Sequence, residues 1–379
     1  MIRLLHFANY PNQHGGSFIP LLRQILKEAR ERGWTTDTVF TSGVENGEWV
    51  PELRGDGVGV EFVEPAGRRA QSRRVESILA ASELPTVIHT HFTTYDIPAA
   101  LAARRRGDSA LFWHIHTVLR NDPLSRARNA AKFALFGRDV DGIFVPAANI
   151  GEGLARRMAP REKLILLPSP IDPDAYRMPS AGERAAARQE FEIPEGSYAL
   201  LHIGRAWRLK GGDVFFEAVR RLREAGLPVI GMTLRGGEPA TEEARRLGIT
   251  EHVRVLERVE IMNHLYAASD CFVAPSRGEG MPFSVVEALA SGVPVVASDH
   301  LPGHVYLSDQ VAACETVPGE PEPIADAVAR MLARPPEQAE REAREAREWI
   351  EGNLDLTHAA ESLVDAYAAA ALRHGLISE

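Results

Sequence analysis

The stretch SRGEGMPFSVVEALASGVPVVASD, residues 276–299, contains the turn, helix and strand that set the fold class of the chain. Pro282 suits the first position of a helix and Gly292 suits the residue after its end, so the segment between them predicts one short helix. The following VPVVAS predicts a buried strand. Glu279 then lies just before a helix N-terminus, which attracts anions, and Glu287 lies more than one turn inside the helix.

Apolar strands alternate with amphipathic helices along the whole chain, which is the α/β pattern. The predicted strands are 2–8, 35–41, 60–64, 86–91, 110–116, 142–147, 198–204, 228–236, 252–256, 270–276 and 294–298. Parallel sheets of this kind bind ligands at the carboxyl ends of their strands. We therefore predict two doubly wound, Rossmann-like parallel-sheet domains that face a cleft.

A Pro-rich segment at 167–183 interrupts both patterns and predicts the domain boundary. A length of 379 residues fits two domains of roughly 150 to 200 residues each. The predicted domains are 1–175 and 176–354, and a last helix occupies 355–379.

The composition is that of an ordinary globular protein, with 45% apolar and 25% charged residues. Two cysteines, Cys271 and Cys314, are too few for a disulfide framework or a structural zinc site, so we expect buried reduced thiols. The N-terminal MIRLLHFANYPNQ predicts a first strand and not a signal peptide. Since no run approaches the ~18 apolar residues of a membrane span, a cytoplasmic protein is expected.

Charge is unevenly distributed along the chain. Residues 1–180 carry a net charge of +3 and residues 181–379 a net charge of −12. The basic clusters at 67–74 and 103–107 could meet a phosphorylated or membrane-bound acceptor, which allows peripheral contact with the inner face of a membrane. They could equally be solvated helix faces. An acidic pI of about 5.9 without interleaved aromatic and basic residues argues against nucleic-acid binding.

Two glycine-containing loops follow predicted strands. In HGGSF, 14–18, the backbone of Gly15 and Gly16 can approach a diphosphate at a helix N-terminus, although glycine pairs are also common in ordinary turns. In HIGRAWRLKGGD, 202–213, Arg205 and Lys210 can hold a leaving diphosphate, or can be surface cations.

Two carboxylates and two histidine pairs complete the candidates. Glu279 can accept hydrogen bonds from sugar hydroxyls and Glu287 from a ribose diol, since both carboxylate oxygens are acceptors. They could also be a turn residue and a partly exposed helix residue. The pairs His89-x-His91 and His114-x-His116 each point to one side of a strand, as in the metal site of a hydrolase. Alternatively, one histidine of the second pair contacts a sugar and the others pack.

In this order, the pieces resemble the family-4 retaining glycosyltransferases of the GT-B fold, the group 1 transferases that include glycogen-synthase-like and phosphatidylinositol-mannoside-synthase-like enzymes. The resemblance runs through nearly all of the chain. It rests on the Gly-Gly loop, FWHIHT, GRAWRLKGG, the stretch 270–299 and the terminal helices. Its most specific part consists of Glu279, Glu287, Gly292, Pro294 and Asp299, together with Arg205 and Lys210.

The resemblance implies an acceptor-side N-terminal domain, a C-terminal domain for a nucleotide-sugar donor and a last helix that crosses back onto the N-terminal domain. It implies the following donor contacts: Gly16 and its neighbour Gly15 for the diphosphate, Arg205 and Lys210 for the phosphates, His116 and Glu279 for the sugar, Glu287 for the ribose, the amides of Met281 and Phe283 for sugar or phosphate, and Val259 for the base. It also implies that no metal and no cofactor is required.

Three positions depart from the family pattern. Ser169-Pro170 replaces a frequent Asn-Gly, and Pro282 replaces a frequent glycine and so has no amide to offer. His304 stands where an acidic residue is common, which affects the expected acceptor or diphosphate environment.

The implied function is the metal-independent transfer, with retention, of a hexose from a UDP- or GDP-sugar to an acceptor hydroxyl. The acceptor would be a polysaccharide or lipid-linked precursor, or a small natural product. Two alternatives are an epimerase or hydrolase of the same fold that acts on nucleotide sugars and a non-catalytic protein that binds them.

Overall fold

The computed structural model describes residues 1–116, 122–204, 206–259, 261–278 and 283–378. It contains two compact units, Met1–Pro170 with Leu356–Glu379, and Ile171–Asp355. We call them unit 1 and unit 2. The division falls within the Pro-rich segment, five residues before the predicted boundary at 175.

Thirteen strands are present in the described residues: β1 Arg3–Ala8, β2 Thr35–Thr41, β3 Gly59–Val63, β4 Thr86–His91, β5 Ser109–His114, β6 Gly142–Val145, β7 Leu164–Leu166, β8 Tyr198–Ile203, β9 Val229–Leu234, β10 Val253–Leu256, β11 Cys271–Ala274, β12 Val295–Ser298 and β13 Cys314–Val317. They form two sheets, in the orders β3-β2-β1-β4-β5-β6-β7 and β10-β9-β8-β11-β12-β13. Each neighbouring pair is parallel. The predicted fold class, two doubly wound parallel sheets, is confirmed.

Fifteen α-helices connect and cover these strands in the part of the chain described: α1 Phe18–Glu31, α2 Val50–Gly55, α3 Arg68–Ala80, α4 Asp96–Arg106, α5 Pro123–Phe136, α6 Ala148–Ala155, α7 Ala181–Glu190, α8 Gly212–Glu224, α9 Gly237–Leu247, α10 Met262–Ala268, α11 Phe283–Ala290, α12 Pro302–Ser308, α13 Pro321–Leu332, α14 Pro336–Asn353 and α15 Leu356–Arg373. None of them is both long enough and apolar enough to cross a membrane.

In unit 1 the sheet lies between two helical layers. One face packs against α1, α2 and α15, and the other against α3, α4, α5 and α6. Strand residues alternate between the two cores, because successive side chains of a strand point to opposite faces. The last helix, α15, therefore contributes to the same core as α1.

Unit 2 has the same three-layer plan. One core contains residues of α7, α10, α11, α12 and α14, and the other contains residues of α8, α9 and α13. Cys271 and Cys314 are buried free thiols in these cores, as predicted. Burial raises the pKa of both thiols, and that of Cys314 reaches about 12.

Helix boundaries follow local chemistry. Within the described residues α11 begins at Phe283, and Gly292 just beyond its end has a φ of +77°, which favours glycine. The face of α1 that carries Leu22 and Ile25 is buried, as its periodicity predicts. Ser17 occupies the N-cap position of α1, but its side chain makes no capping hydrogen bond there.

Candidate active site

The loop after β1 presents the backbone of Gly15 and Gly16. Gly16 has a φ of +53°, and a Cβ at this position would lie 2.7 Å from the hydroxyl oxygen of Tyr10. That hydroxyl donates a hydrogen bond to the carbonyl of Gly15 at 2.7 Å. Gly16 itself is exposed. The loop therefore needs a glycine, and it leaves main chain accessible just before α1.

An aromatic cluster joins this loop to the ends of β4 and β5. The ring of His116 stacks on Phe92 at 4.3 Å between centroids, and Phe18 meets the same imidazole edge-on at 5.4 Å. Tyr10 stacks on Phe92 at 5.7 Å. Phe92 has a φ of +63°, which is uncommon for a residue with a Cβ. The glycine loop and His116 are thus brought together at the carboxyl ends of the strands of the first sheet.

His116 is half-buried, whereas His114 is only 4% exposed. Of His114 at the end of β5 and His116 just beyond it, His116 is therefore the one that a ligand can reach. His114 instead packs flat against His116, with ring centroids 3.9 Å apart. Its contact agrees with the alternative in which the remaining histidines pack.

Five histidines cluster at this end of the sheet: His6, His89, His91 and His114 are buried, and His116 is half-buried. The parallel register pairs His6 with His89 and His91 with His114. Burial lowers the pKa of His6 and His114 to about 3, and it lowers the pKa of the other three well below the usual range. All five imidazoles are consequently neutral at neutral pH.

The same cluster contains the metal-ligand candidates. Two triads, His6 with His89 and His91, and His91 with His114 and His116, have ring nitrogens within 4.8 Å of one another. Neither triad includes a carboxylate. Histidine-only sites suit zinc and similar metals, but a divalent ion here would bring its full charge into a buried cluster of neutral ligands.

In unit 2 the loop after β8 is locked against the loop after β11. Gly211 has a φ of +73°, and a Cβ on it would lie 2.7 Å from the carbonyl carbon of Pro275. Beside it, Arg277 donates from its backbone N–H to the carbonyl of Leu209 at 2.8 Å, and its side chain pairs with Asp213 at 2.7 Å. Since β8 and β11 are neighbours in the sheet, the loops that follow their carboxyl ends lie side by side.

Lys210 is carried by the first of these loops and is half-buried. Its backbone carbonyl lies 3.1 Å from Nε2 of His202, so the end of β8 fixes its position. The second predicted cation of this loop, Arg205, lies outside the described residues, as do Glu279 and Met281 on the other side. Their proposed roles rest on the sequence pattern alone.

Glu287 lies on α11 and is 9% exposed. Tyr266 donates its phenol to Oε2 of this carboxylate at 2.7 Å, and Tyr176 hydrogen-bonds it as well. Burial raises the pKa of Glu287, while the two phenols and the charge of Arg235 act in the opposite direction. The sequence reasoning missed both tyrosines, because they lie far from Glu287 along the chain and no local motif marks them.

Val259 and Phe283 pack against the same core cluster as Tyr176 and remain only partly buried. Their side chains therefore lie at the surface of the core that holds Glu287. His304, in contrast, is fully buried, and its Nδ1 lies 3.1 Å from the carbonyl of Ser298. Its imidazole packs inside unit 2 and does not line an open surface.

Two family models match the chain. The one described as Glycosyl transferase 4-like domain covers residues 20–170, and the one described as Glycosyl transferases group 1 covers residues 197–334. Each falls largely within one of the two units.

Similar curated proteins are glycosyltransferases. D-inositol 3-phosphate glycosyltransferase of Geodermatophilus obscurus is 31% identical over 227 residues, which cover 56% of this chain and 48% of that protein. The putative glycosyltransferase EpsF of Bacillus subtilis is 29% identical over 224 residues, which cover 56% of each chain. The chain thus spans about half the length of the curated relatives it matches.

Solved structures share the fold over nearly the whole chain. Anabaena Alr3699/HepE in complex with UDP-glucose has a TM-score of 0.80 and 18% identity, over 97% of this chain and 99% of that one. A glycosyltransferase from Rickettsia africae has a TM-score of 0.82 and 14% identity, over 97% of this chain and 98% of that one.

Proposed function

Because the chain belongs to the group 1 glycosyltransferases with a 4-like N-terminal domain, we propose that it transfers a hexose from a nucleoside diphosphate sugar to an acceptor hydroxyl. The donor would be a UDP- or GDP-sugar. UDP-glucose is the first to test, since the structural neighbour Alr3699/HepE was solved with it.

The observation that carries this proposal is the pairing of a cation loop with a buried carboxylate at neighbouring strand ends of unit 2. Lys210 follows β8, and Glu287 lies on the helix that follows β11. A carboxylate has about four acceptor sites, so Glu287 can bind both hydroxyls of a ribose while its phenol partners stay bound. Lys210 then supplies positive charge for the diphosphate of the same nucleotide.

Further contacts are assigned by the family pattern. Arg205 joins Lys210 on the phosphates, Glu279 accepts from sugar hydroxyls, and Val259 lies beside the base. The amides of Met281 and Phe283 approach sugar or phosphate.

The family pattern also assigns Gly15 and Gly16 to the donor diphosphate and His116 to the donor sugar; in unit 1 this backbone is accessible at Gly16 and His116 is half-buried. Main-chain N–H groups at the start of a helix favour negative charge, which supports this role for the glycine loop.

The reaction we propose retains the configuration of the sugar without a metal. The bond between the anomeric carbon and the leaving phosphate oxygen breaks, and the acceptor oxygen bonds to the same face of that carbon. The acceptor's proton passes to the departing phosphate. Lys210 and Arg205 stabilise the negative charge that develops on the diphosphate in the transition state. Electrostatic stabilisation of this kind is usually the largest single contribution to an enzyme's rate enhancement.

Donor binding is tested first by thermal shift with UDP, GDP, ADP and TDP and their common sugars, each with and without EDTA. One nucleotide is expected to raise the melting temperature equally in both conditions. Dependence on a divalent metal would contradict the metal-free mechanism. Consumption of the donor without any acceptor would indicate an epimerase or hydrolase, and tight binding without turnover a binding protein.

The cation assignment is tested by Lys210→Ala and Arg205→Ala. Each should lower kcat at least about 100-fold, the scale of one lost charge-stabilising donor. Arg208→Ala is the matched control, because Arg208 lies in the same loop with its side chain 82% exposed. Unchanged turnover in both test variants would refute the assignment.

The acceptor is sought with the identified donor. Several curated relatives are named for D-inositol 3-phosphate, so phosphorylated polyols are the first class to assay, followed by lipid-linked sugars. Formation of a glycoside whose anomeric configuration matches that of the donor sugar supports retention. The opposite configuration would refute it.

A further inference from the structure

Three histidines of this cluster, His6, His91 and His116, form a continuous hydrogen-bonded chain. Nδ1 of His6 lies 2.9 Å from Nε2 of His91, and Nδ1 of His91 lies 3.0 Å from Nε2 of His116. The chain runs from strand β1 through the end of β4 to the residue that the proposed function places on the donor sugar. Both ring nitrogens of His91 are therefore engaged by other imidazoles.

Neutral imidazoles allow only two proton arrangements in such a chain. Each ring carries one N–H, so His91 must donate on one side and accept on the other. In the first arrangement His6 donates to His91 and His91 donates to His116, whose own proton is then on Nδ1. In the second arrangement every bond is reversed, and the proton of His116 is on Nε2.

The far end of the chain distinguishes the two arrangements. Nε2 of His6 is buried and has no hydrogen-bond partner among the described residues. In the second arrangement this atom would carry an orphaned N–H, whereas in the first it is a bare acceptor. Orphaned buried N–H groups are rarer in proteins than unused acceptors. The first arrangement is therefore favoured.

We propose that His91 is a positioning residue that holds His116 in the tautomer with its proton on Nδ1. This inference rests on the proposed function in one respect, the contact between His116 and the donor sugar. His116 then presents a fixed N–H donor to a sugar oxygen. A fixed N–H donor can bind the lone pair of a sugar oxygen but not the hydrogen of a sugar hydroxyl. The histidine chain therefore makes the contact between His116 and the sugar selective as well as favourable.

A bound metal is the competing use of the same atoms. A metal held by His6, His89 and His91 would need a lone pair on each ring, and it would break the bond between His6 and His91 if it bound at either of their facing nitrogens. Elemental analysis of the purified protein distinguishes these states. Stoichiometric zinc, nickel or copper would overturn the tautomer proposal.

The direct test is nitrogen NMR of protein carrying isotope-labelled histidine, because bare and protonated ring nitrogens give well-separated signals. The signals of His116 are assigned by their loss in His116→Asn. We expect its Nδ1 to be protonated and its Nε2 to be bare in the nucleotide-free protein. The reverse pattern in the wild-type protein would overturn the proposal without the need for any further variant.

Variants at His91 test whether this residue sets the tautomer. His91→Leu removes the donor and should move the proton of His116 to Nε2 in a measurable fraction of molecules. His91→Asn places an amide where Nδ1 stood, and its N–H₂ should restore the wild-type pattern. His91→Phe, which keeps a flat ring in the stack, replaces the leucine variant if that variant does not fold. An unchanged His116 signal in the Leu or Phe variant would overturn the proposal.

Binding measurements add a functional readout. Calorimetry of UDP-glucose and of UDP should show about tenfold weaker binding of UDP-glucose in His91→Leu and unchanged binding of UDP, the scale of one lost hydrogen bond. His89→Phe is the matched control, since His89 is equally buried but lies outside the chain of bonds. Equal weakening of both ligands would indicate a merely structural role. If neither ligand binds the wild-type protein, the proposed donor fails while the NMR result still decides the tautomer.

Discussion

Substitution of Gly211 by alanine tests the contact that joins the two strand-end loops of unit 2. An alanine Cβ at this position would lie 2.7 Å from the carbonyl carbon of Pro275, where ordinary contact begins at 3.4 Å. The carbonyl oxygen of Pro275 would lie closer still, so the two loops would have to separate by more than the roughly 0.7 Å between these distances. Gly226 provides a matched control, because its φ of +87° is equally unusual but its Cβ would meet nothing within 4 Å.

The expected magnitudes follow from two separate costs. A left-handed backbone costs alanine about 1 kcal/mol, and this cost applies at both positions. Overpacking against main chain adds roughly 1–3 kcal/mol at Gly211 alone. We therefore expect the free energy of unfolding to fall by about 1 kcal/mol in Gly226→Ala and by about 3 kcal/mol in Gly211→Ala.

Urea denaturation followed by circular dichroism measures both variants, and both residues lie in unit 2, so the same structural unit reports each change. Lys210 immediately precedes the substituted glycine, so UDP affinity should fall in Gly211→Ala and stay unchanged in Gly226→Ala. Equal losses of stability in the two variants would show that the backbone conformation, and not the approach to Pro275, requires the glycine.

Three further outcomes are expected. Tyr266→Phe removes a hydrogen-bond donor from the buried Glu287, whose pKa is already raised by burial. The free energy of unfolding should fall by roughly 1.5–3 kcal/mol at pH 8 and by less at pH 5, where the carboxyl can protonate. Equal losses at both pH values in urea denaturation would contradict this. Because the pKa values of the clustered histidines are lowered, their contribution to the free energy of unfolding is fully present above about pH 6.5 and is lost towards pH 3. His89→Phe should therefore make the plot of unfolding free energy against pH shallower by about 1.4 kcal/mol per pH unit between pH 6 and 4. An unaltered slope would refute the direction of the pKa shift. Asp96 is 1% exposed, and its carboxylate lies 2.7 Å from the ammonium of Lys132. Lys132→Met leaves this buried charge unpaired and should lower the free energy of unfolding by roughly 3–5 kcal/mol. Adding Asp96→Asn to the same chain should recover most of that loss in the same urea assay.

The sequence pattern was sufficient for eleven of the thirteen strands described, including the edge strands β3 and β10, but not for β7 and β13. The predicted bounds of β2 and β4 are those observed, because both segments are rich in β-branched residues, which favour strands. The strands that were missed, Leu164–Leu166 and Cys314–Val317, are short and lie at sheet edges. Because an edge strand needs only one partner, β7 and β13 can form without the longer apolar pattern that periodicity detects.

The candidate site was predictable where neighbours in sequence carry it. The glycine loop and the helix bearing Glu287 have local sequence signatures. The i, i+2 spacing of each histidine pair indicates that both side chains lie on the same face of the sheet. His6 has no such signature, since only the register of β1 with β4 brings it to His91. The phenol of Tyr266 reaches Glu287 for the same reason, through packing of distant helices that no short motif encodes.

The position of α15 has a consequence for the order in which the protein is made. Unit 1 needs this helix to cover the histidine face, where Tyr367 lies 2.5 Å from Nδ1 of His89. Yet all of unit 2, residues 171–355, is synthesised between the first part of unit 1 and α15. At roughly 5–20 residues per second, a ribosome takes about 10–40 s to make that stretch. During this interval the nascent sheet waits with one apolar face and its imidazoles uncovered, so a chaperone has its longest opportunity to bind there, and unit 2 can finish folding before unit 1 does.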